Sequence, residues 1–540
     1  MADRYERGLV WAIIGCLLVA ITVPYVLAWH STPAGSVYTG LLWLPDDQNV
    51  HVTWARQGLE GHFLLPNLYS TDSIGKPAMF SNLVMYVIGR TAWVTRIPLI
   101  LVYHIYRLLF AAGALWVFWR LTRLLTGDWR VRVGAAFLAA FSAGAGWMWL
   151  ALGLDGTGVK LMDLPRGYLF VPEAYTFASG LIYPLNVASM MLMAGVYYLA
   201  LRGEETRKMT YAVAGGFAAM ILGNSHTYDS IPLMGTLGAY ALVRLTRHIP
   251  EKNEKRWWWG WMVIAGMGMI PVVVQAWLYF YNPEFRWSKT HYPVNPLPIG
   301  WTVLSFGWLM PLAAWGAWVG WSEKGVRFMA IWAGVTFVEM YSPFFDFGRK
   351  LIEGVQLPLV FLAAVGGVRL IEIVARRFGR AAWVAGIAVL LSTAISPPVM
   401  LAGIWRHRVD ESWPAPRTPL DVPADYEAAV RYLRDLPREE KDQAVVLAMP
   451  PLANHIPPQA GVRVFVGHWA ESIRFVSKFW TAHHFFDGTM SEEDAKDFLK
   501  KNHITHVLAN GADEEKGWAI RVGGVVFEQG NVRVYRVGKN

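Results

Sequence analysis

The stretch Leu44-Pro45-Asp46-Asp47-Gln48-Asn49-Val50-His51 decides how this chain is read. It follows the first long apolar run, residues 8–29, and so places two adjacent carboxylates just past a membrane exit. Such exits are usually marked by Trp, Tyr, Lys or Arg. A carboxylate there can take a proton from a hydroxyl or ligate a metal ion. If the segment is helical, Asp47 and His51 share a face at i,i+4. That pairing offers either a base with an orienting partner or two ligands for a divalent cation. The plainer reading is that Asp46 or Asp47 caps the helix that follows.

The composition is that of a membrane protein. Of 540 residues, 54% are hydrophobic, only 16% are charged and 28 are Trp, and the mean hydropathy is +0.29. A soluble domain carries about a quarter charged residues. The formal net charge of +9 is expected from basic cytoplasmic loops, and does not by itself point to nucleic acid. The single cysteine, Cys16, excludes disulfides and multi-thiolate metal sites within one chain. Neither GxGxxG, a P-loop, HExxH nor GxSxG in a triad context occurs, so nucleotide hydrolysis and zinc proteolysis have no support.

About eleven apolar runs have the roughly 20-residue length of a membrane span: 8–29, 97–119, 133–152, 177–200, 210–224, 230–246, 257–280, 299–321, 327–342, 355–375 and 381–404. The first reads as a signal anchor, oriented by Arg4 and Arg7 with the N-terminus inside. Every second loop is basic, through Arg120, Arg123, Arg130 and Arg132, then Arg202, Arg207 and Lys208, then Arg244, Arg247, Lys252, Lys255 and Arg256, then Lys324 and Arg327, then Arg376, Arg377 and Arg380. The positive-inside rule puts these in the cytoplasm. Asp46, Asp47, Asp163, Glu173, Asp229 and Asp346 then lie outside, as does everything after the last span.

The first outer loop, about 30–96, predicts a short helix at 47–57, a break at Gly58-Leu59-Glu60-Gly61 and an amphipathic, membrane-lying helix at 82–94. A linker with Pro414, Pro416, Pro419 and Pro423 occupies 405–423 and separates the membrane domain, 1–404, from an outer domain, 424–540. In that domain helices at Tyr426 to Asp435 and 491–501 alternate with strands at Ala444-Val445-Val446-Leu447, Val464-Phe465-Val466, His506-Val507-Leu508 and around Tyr535. This pattern predicts a small α/β fold.

Other candidate groups lie on the outer side. Arg107, with His104 one turn away, sits near mid-span, where a charge is functional by default or else part of an internal ion pair. Asn224-Ser225-His226-Thr227-Tyr228-Asp229 suits sugar hydroxyls or a phosphate, or forms a hydrogen-bonded turn. Phe347-Gly348-Arg349-Lys350 puts two cations against the positive-inside trend, where they suit a phosphate at the bilayer surface or snorkel to head groups. The loop Gly153 to Phe177, with Asp163, Arg166 and Glu173, reads as a lid, a substrate loop or ordinary polar surface. Gly467-His468-Trp469-Ala470-Glu471 follows a strand, as ligand loops do in α/β sheets.

Taken in order and sidedness, these features resemble the GT-C superfamily of integral membrane glycosyltransferases, especially the bacterial group related to family 39 and the protein-mannosyltransferase and aminoarabinose-transferase enzymes. The likeness covers most of the chain. It rests on the N-in first span, the long first loop opening with Asp46-Asp47, the Ala143-Gly144-Ala145-Gly146-Trp147 and Pro172-Glu173-Ala174-Tyr175-Thr176-Phe177 stretches, His226-Thr227-Tyr228-Asp229, Arg349-Lys350 and the outer domain with Gly467-His468-Trp469.

The resemblance implies a mainly helical membrane bundle in the inner membrane, carrying an outer α/β domain. It implies inverting transfer of a sugar from a polyprenyl-phosphate donor to an acceptor hydroxyl on a protein, lipid or glycan. Asp46 or Asp47 would be the acid-base residue. Arg349, Lys350 and Arg107 would hold the donor phosphate, and His51, Glu173, His226, Tyr228 and Asp229 would contact substrate. A divalent cation, if used, would take Asp47 and His51. The family's first-loop signature is often Asp-Glu, whereas this chain has Asp-Asp. A transporter or flippase of lipid-linked glycan, or a non-catalytic scaffold of the same fold, is the competing expectation. A transporter predicts ionisable groups along a pore and internal repeats. Only His104, Arg107 and Glu339 lie well inside apolar runs, and no repeat is evident.

Overall fold

A computed structural model describes residues 2–145, 147–148, 171–247, 255–292, 294–409, 420–511, 517–521 and 523–538. Asp163, Arg166, Gly146, Lys252 and the linker residues Pro414, Pro416 and Pro419 lie outside the described residues. The chain divides into two compact units. One comprises Met1–Val23, His104–Ala276 and Pro293–Val409; the other comprises Pro24–Tyr103, Trp277–Tyr292 and Asp410–Asn540.

Helix forms at every predicted apolar run. Among the described residues six helices are long and apolar enough to cross a membrane, or seven if the bent pair Ile299–Phe306 and Leu309–Val319 is one span. The other runs are helical but shorter, as at Met209–Ser225 and Lys324–Met340.

Two runs that read as continuous in the sequence are interrupted in the first unit. The run 133–152 gives the helix Trp129–Phe141, capped by the Asp128 carboxylate, which accepts from the Arg130 N–H at 2.9 Å. It stops at Ser142. The run 299–321 bends by 89°. The two breaks touch: the Ala145 N–H donates to the Ser305 carbonyl at 2.9 Å. A Cβ on Gly144 (φ +68°) would sit 1.9 Å from that same carbonyl oxygen. Only glycine lets the backbones approach so closely. Apolar periodicity carries no trace of this contact, which is why the sequence reads straight through it.

The second unit unites the first outer loop with the C-terminal residues. Its sheet has the order β4-β3-β5-β7-β6, with β3 (Val445–Leu447), β4 (Arg463–Val464), β5 (His506–Asn510), β6 (Gly523–Gln529) and β7 (Val532–Val537). Strands β4, β3 and β5 run parallel; β7 and β6 are antiparallel to their neighbours. Side chains alternate between two buried clusters. Val446, Val464, Leu508 and Val534 pack with Tyr426, Ala429 and Leu433 of the helix Ala424–Arg434. On the other face Val445, Leu447, Val507 and Tyr535 pack with Phe485 and with Phe498 of the helix Glu492–Lys501. The predicted strand at 464–466 is cut back to Arg463–Val464, because Phe465 and Val466 lead into the buried turn at Gly467, whose N–H donates to the Ser472 hydroxyl.

Val50 and Tyr69 of the first loop belong to the first of these clusters. A two-stranded ribbon joins the same segments, with β1 (Ser36–Tyr38) antiparallel to β2 (Asp421–Pro423). Burial of these groups explains why the loop forms one compact unit with residues 410–540.

The predicted loop helices are present at Pro45–Glu60 and Leu83–Thr95. The predicted break at Gly58 is not: the helix runs through it and ends at Gly61, which has φ 98°. Gly58 and Gly89 instead let the two helices cross with backbones in contact. A Cβ at Gly89 would lie 2.1 Å from the Ala55 carbonyl oxygen. Gly89→Val is therefore expected to destabilise the protein by about 1–3 kcal/mol through overpacking, read as a lower unfolding midpoint by Trp fluorescence. Gly238→Ala, whose added Cβ would meet nothing within 4 Å, should shift it by less than about 0.5 kcal/mol.

Candidate functional site

In the second unit, Pro45 opens the helix Pro45–Glu60 after Leu44, which takes the left-handed conformation as N-cap. Asp46 and Asp47 are thus the second and third helical residues, and the N-cap position falls on Leu44 instead. They lie where free N–H groups and the helix dipole favour negative charge. The capping expectation fails because the backbone turns one residue earlier than the acidic pair.

The two carboxylates differ in surroundings. Asp46 Oδ1 accepts from the Asn454 amide at 3.1 Å, and Asn454 is buried. Asp47 keeps 46% of its side chain exposed and lies 3.2 Å from Nε2 of His468, which is 3% exposed. Two backbone N–H groups, those of Ala470 and Glu471, each donate to His468 Nδ1 at 3.2 Å. Nδ1 therefore carries no proton, and Nε2–H donates to Asp47. Burial opposes a charge on this imidazole, whereas Asp47, Glu471 and Asp46 favour one and raise its pKa; the donors at Nδ1 define the neutral tautomer. The arrangement is a half-exposed carboxylate held by a buried, pre-oriented histidine.

His51 lies one turn beyond Asp47 and stacks obliquely on Trp54 with ring centroids 5.3 Å apart. No group of three or more potential metal ligands includes Asp47 or His51 among the described residues.

In the first unit the predicted outer residues converge. Glu173 lies on the 3-10 turn Pro172–Ala174 and Lys350 on the 3-10 turn Gly348–Ile352. The Lys350 ammonium donates to Glu173 Oε1 at 2.8 Å. Burial would raise the Glu173 pKa, but the Lys350 and Arg349 charges overcome it and hold the carboxyl at about 2. Arg349 is tethered through its backbone N–H to the Val294 carbonyl at 3.0 Å, and its Nε is buried with no hydrogen-bond partner among the described residues. Tyr228 packs on Phe347 with ring centroids 4.9 Å apart. His226 Nδ1 lies 2.8 Å from Asp229 Oδ2 and 3.7 Å from Glu353 Oε2, and both carboxylates are fully buried. Burial, then the nearby Asp229 and Glu173 charges, push the Glu353 carboxyl well above the usual range against the pull of Lys350.

Arg107 has a different environment. It is 1% exposed, and its Nη1 donates to the Ile21, Gly180 and Leu181 carbonyls at 3.2, 2.6 and 3.3 Å. Its Nε donates to His104 Nδ1 at 3.2 Å. The guanidinium ties the first span to the helices at 99–125 and 176–182.

No protein-family model matches the chain, and no curated protein matches its sequence. Solved structures do. The archaeal oligosaccharyltransferase AglB from Archaeoglobus fulgidus, in complex with an inhibitory peptide and a dolichol-phosphate, superposes with a TM-score of 0.60 at 12% identity, covering 94% of this chain and 70% of that one. ArnT from Cupriavidus metallidurans bound to undecaprenyl phosphate gives 0.52 at 14% identity, over 96% of this chain and 98% of that one. The mycobacterial arabinofuranosyltransferase AftD gives 0.55 at 16% identity, over 97% of this chain but 41% of the other. The chain has the GT-C fold. With its apolar helices, that fold makes it an integral, multi-pass membrane protein.

The sequence did not single out Glu353 or Asn454, nor link His468 to Asp47. Glu353 stands three residues after Lys350 and just before a span, which is the signal that would have drawn attention to it. Asn454 carries no such signal, and although His468 sits in a post-strand loop, nothing local points to Asp47, some four hundred residues away.

The Glu173–Lys350 pair gives a test. Lys350→Met leaves a buried carboxylate unpaired and should cost about 2 kcal/mol, less than the ~3–5 kcal/mol of a fully buried pair because Lys350 keeps some water. Adding Glu173→Gln should restore part of that loss. Since the folded pKa of Glu173 lies below its ordinary value of 4.5, its contribution is complete above pH 4.5 and is lost as pH falls toward about 2. Unfolding midpoints of wild type and Glu173→Gln across that range should converge.

Proposed function

We propose that the chain is a glycosyltransferase that moves a sugar from a polyprenyl-phosphate donor to an acceptor hydroxyl, inverting the anomeric centre at the outer face of the cytoplasmic membrane. The observation that carries this reading is the Asp47–His468 pair at the N-terminus of the first-loop helix in a GT-C fold. The neighbours are themselves glycosyltransferases, and two of the structures hold a dolichol- or undecaprenyl-phosphate.

Asp47 is the base. It is half exposed and receives one oriented hydrogen bond from His468, whereas Asp46 is engaged by Asn454. As the acceptor oxygen attacks the anomeric carbon, its proton passes to the half-exposed Asp47 carboxylate. The bond between that carbon and the phosphate oxygen breaks, and its electron pair leaves with the phosphate. His468 is a positioning residue: Nε2–H fixes the carboxylate rotamer and favours its ionised form. Arg349, with a buried Nε lacking a protein partner among the described residues, takes the phosphate whose charge grows in the transition state. Lys350 steadies it from its pairing with Glu173. Arg107 is committed to carbonyls and is not assigned to the donor.

Asp47→Asn should lower kcat by about 10²–10⁴-fold, assayed with purified protein as sugar release from a panel of polyprenyl-phosphate sugars. Asp46→Asn should cost less. Unchanged turnover in the Asp46→Asn, Asp47→Asn double variant would remove the catalytic assignment and favour a scaffold or flippase. Arg349→Gln should raise donor KM or lower kcat by about tenfold; if neither moves, the phosphate role is wrong. A reporter fused after Asn540 should be active outside the cytoplasm.

A further inference from the structure

Among the described residues of the first unit, His226, Asp229 and Glu353 form a group of potential metal ligands. His226 caps the helix Met209–Ser225 and begins the 3-10 turn Thr227–Asp229. A 3-10 turn repeats every three residues, so His226 and Asp229 project to the same side. Glu353 follows the turn Gly348–Ile352. His226 Nδ1, Asp229 Oδ2 and Glu353 Oε2 all lie within 4.8 Å of one another. Ligands on a tetrahedral cation with bonds of about 2.0–2.1 Å are ~3.3–3.4 Å apart. The two distances from Nδ1, 2.8 and 3.7 Å, bracket that value, and small side-chain rotations would meet it.

The second observation concerns unmet polar atoms. Both oxygens of Glu353 are buried without a hydrogen-bond partner among the described residues, and so is Asp229 Oδ1. An ionised carboxylate only accepts, and a buried one without a partner carries a large desolvation cost. Three unmet carboxyl oxygens beside one imidazole, Glu353 Oε1 and Oε2 and Asp229 Oδ1, suit a shared positive centre. The Ser189 hydroxyl donates to Asp229 Oδ2, an outer contact of the kind that orients metal-binding carboxylates. His226 is 13% exposed at its side chain, which leaves the cluster open on one side for a water or an exogenous ligand.

We propose that His226, Asp229 and Glu353 bind one divalent transition-metal cation, Zn2+ or Mn2+. The imidazole nitrogen favours these over Ca2+ and Mg2+, which prefer all-oxygen shells. The site uses neither Asp47 nor His51, and it stands whether or not the transferase reading does. It also gives His226 and Asp229 a role other than sugar contact.

The test uses the full chain, purified in detergent, stripped with EDTA and dialysed. Zn2+ or Mn2+ alone is then titrated calorimetrically, with bound metal counted by mass spectrometry. One tight equivalent is expected. Glu353→Gln and Asp229→Asn should each weaken it by about 100-fold, while His483→Ala with His484→Ala, which removes the exposed group His483, His484 and Asp487, should leave it intact. On the unmodified chain, Co2+ should give the visible absorption of a low-coordinate nitrogen–oxygen site. The proposal is overturned if the unmodified chain takes up no stoichiometric Zn2+ or Mn2+, if Glu353→Gln and Asp229→Asn bind as tightly as wild type, or if only the His483 and His484 changes abolish binding.

Discussion

Charge taken out of water must be compensated, and that constraint organises both units of this protein. Several buried ionic groups are met by specific partners: Lys350 for Glu173, carbonyls for Arg107, a serine hydroxyl and an imidazole for Asp229. In the second unit Lys478 reaches Asp72 and Ser70 from inside the fold, and the Asp72 carboxyl is held at about 2 against burial. Such pairs add modest net stability, since desolvation offsets most of the attraction. Their larger effect is geometric, because each fixes which segments must lie together.

The same constraint separates structural from chemical charge. Arg107 is saturated by backbone carbonyls and His104, so it locks helices and leaves little to offer a ligand. Arg349 and Glu353 are the opposite case: buried polar atoms on each have no hydrogen-bond partner among the described residues. In a native protein such atoms call for an explanation, and a ligand or an ion is the most direct one. Asp47 is intermediate, with one oriented hydrogen bond and substantial exposure, the condition of a carboxylate able to exchange a proton.

The loop after the first span is more than a connector. Its residues Val50 and Tyr69 complete a hydrophobic core formed mainly by residues after 420, and Glu60 is bonded by Lys441. The acid pair therefore rides on a helix anchored to a folded domain, and His468 comes from that same domain. Rigid backing of this kind is what a general base needs, because small displacements weaken proton transfer steeply.

The membrane class, the helical character of each apolar run and the α/β alternation of the C-terminal residues were legible in the sequence, and Asp46-Asp47, Glu173, His226, Asp229, Arg349 and Lys350 stood out in it as candidates. These were legible because hydrophobic periodicity and charge placed against an apolar background are local properties of the chain. Long-range contacts decided that Asp47 meets His468 while Asp46 meets Asn454, that Arg107 bonds to carbonyls of other helices, that two apolar runs break where Ala145 meets Ser305, and that Glu353 joins His226 and Asp229. Each of these depends on which distant residue supplies a partner or removes water, and neither local pattern nor propensity encodes that.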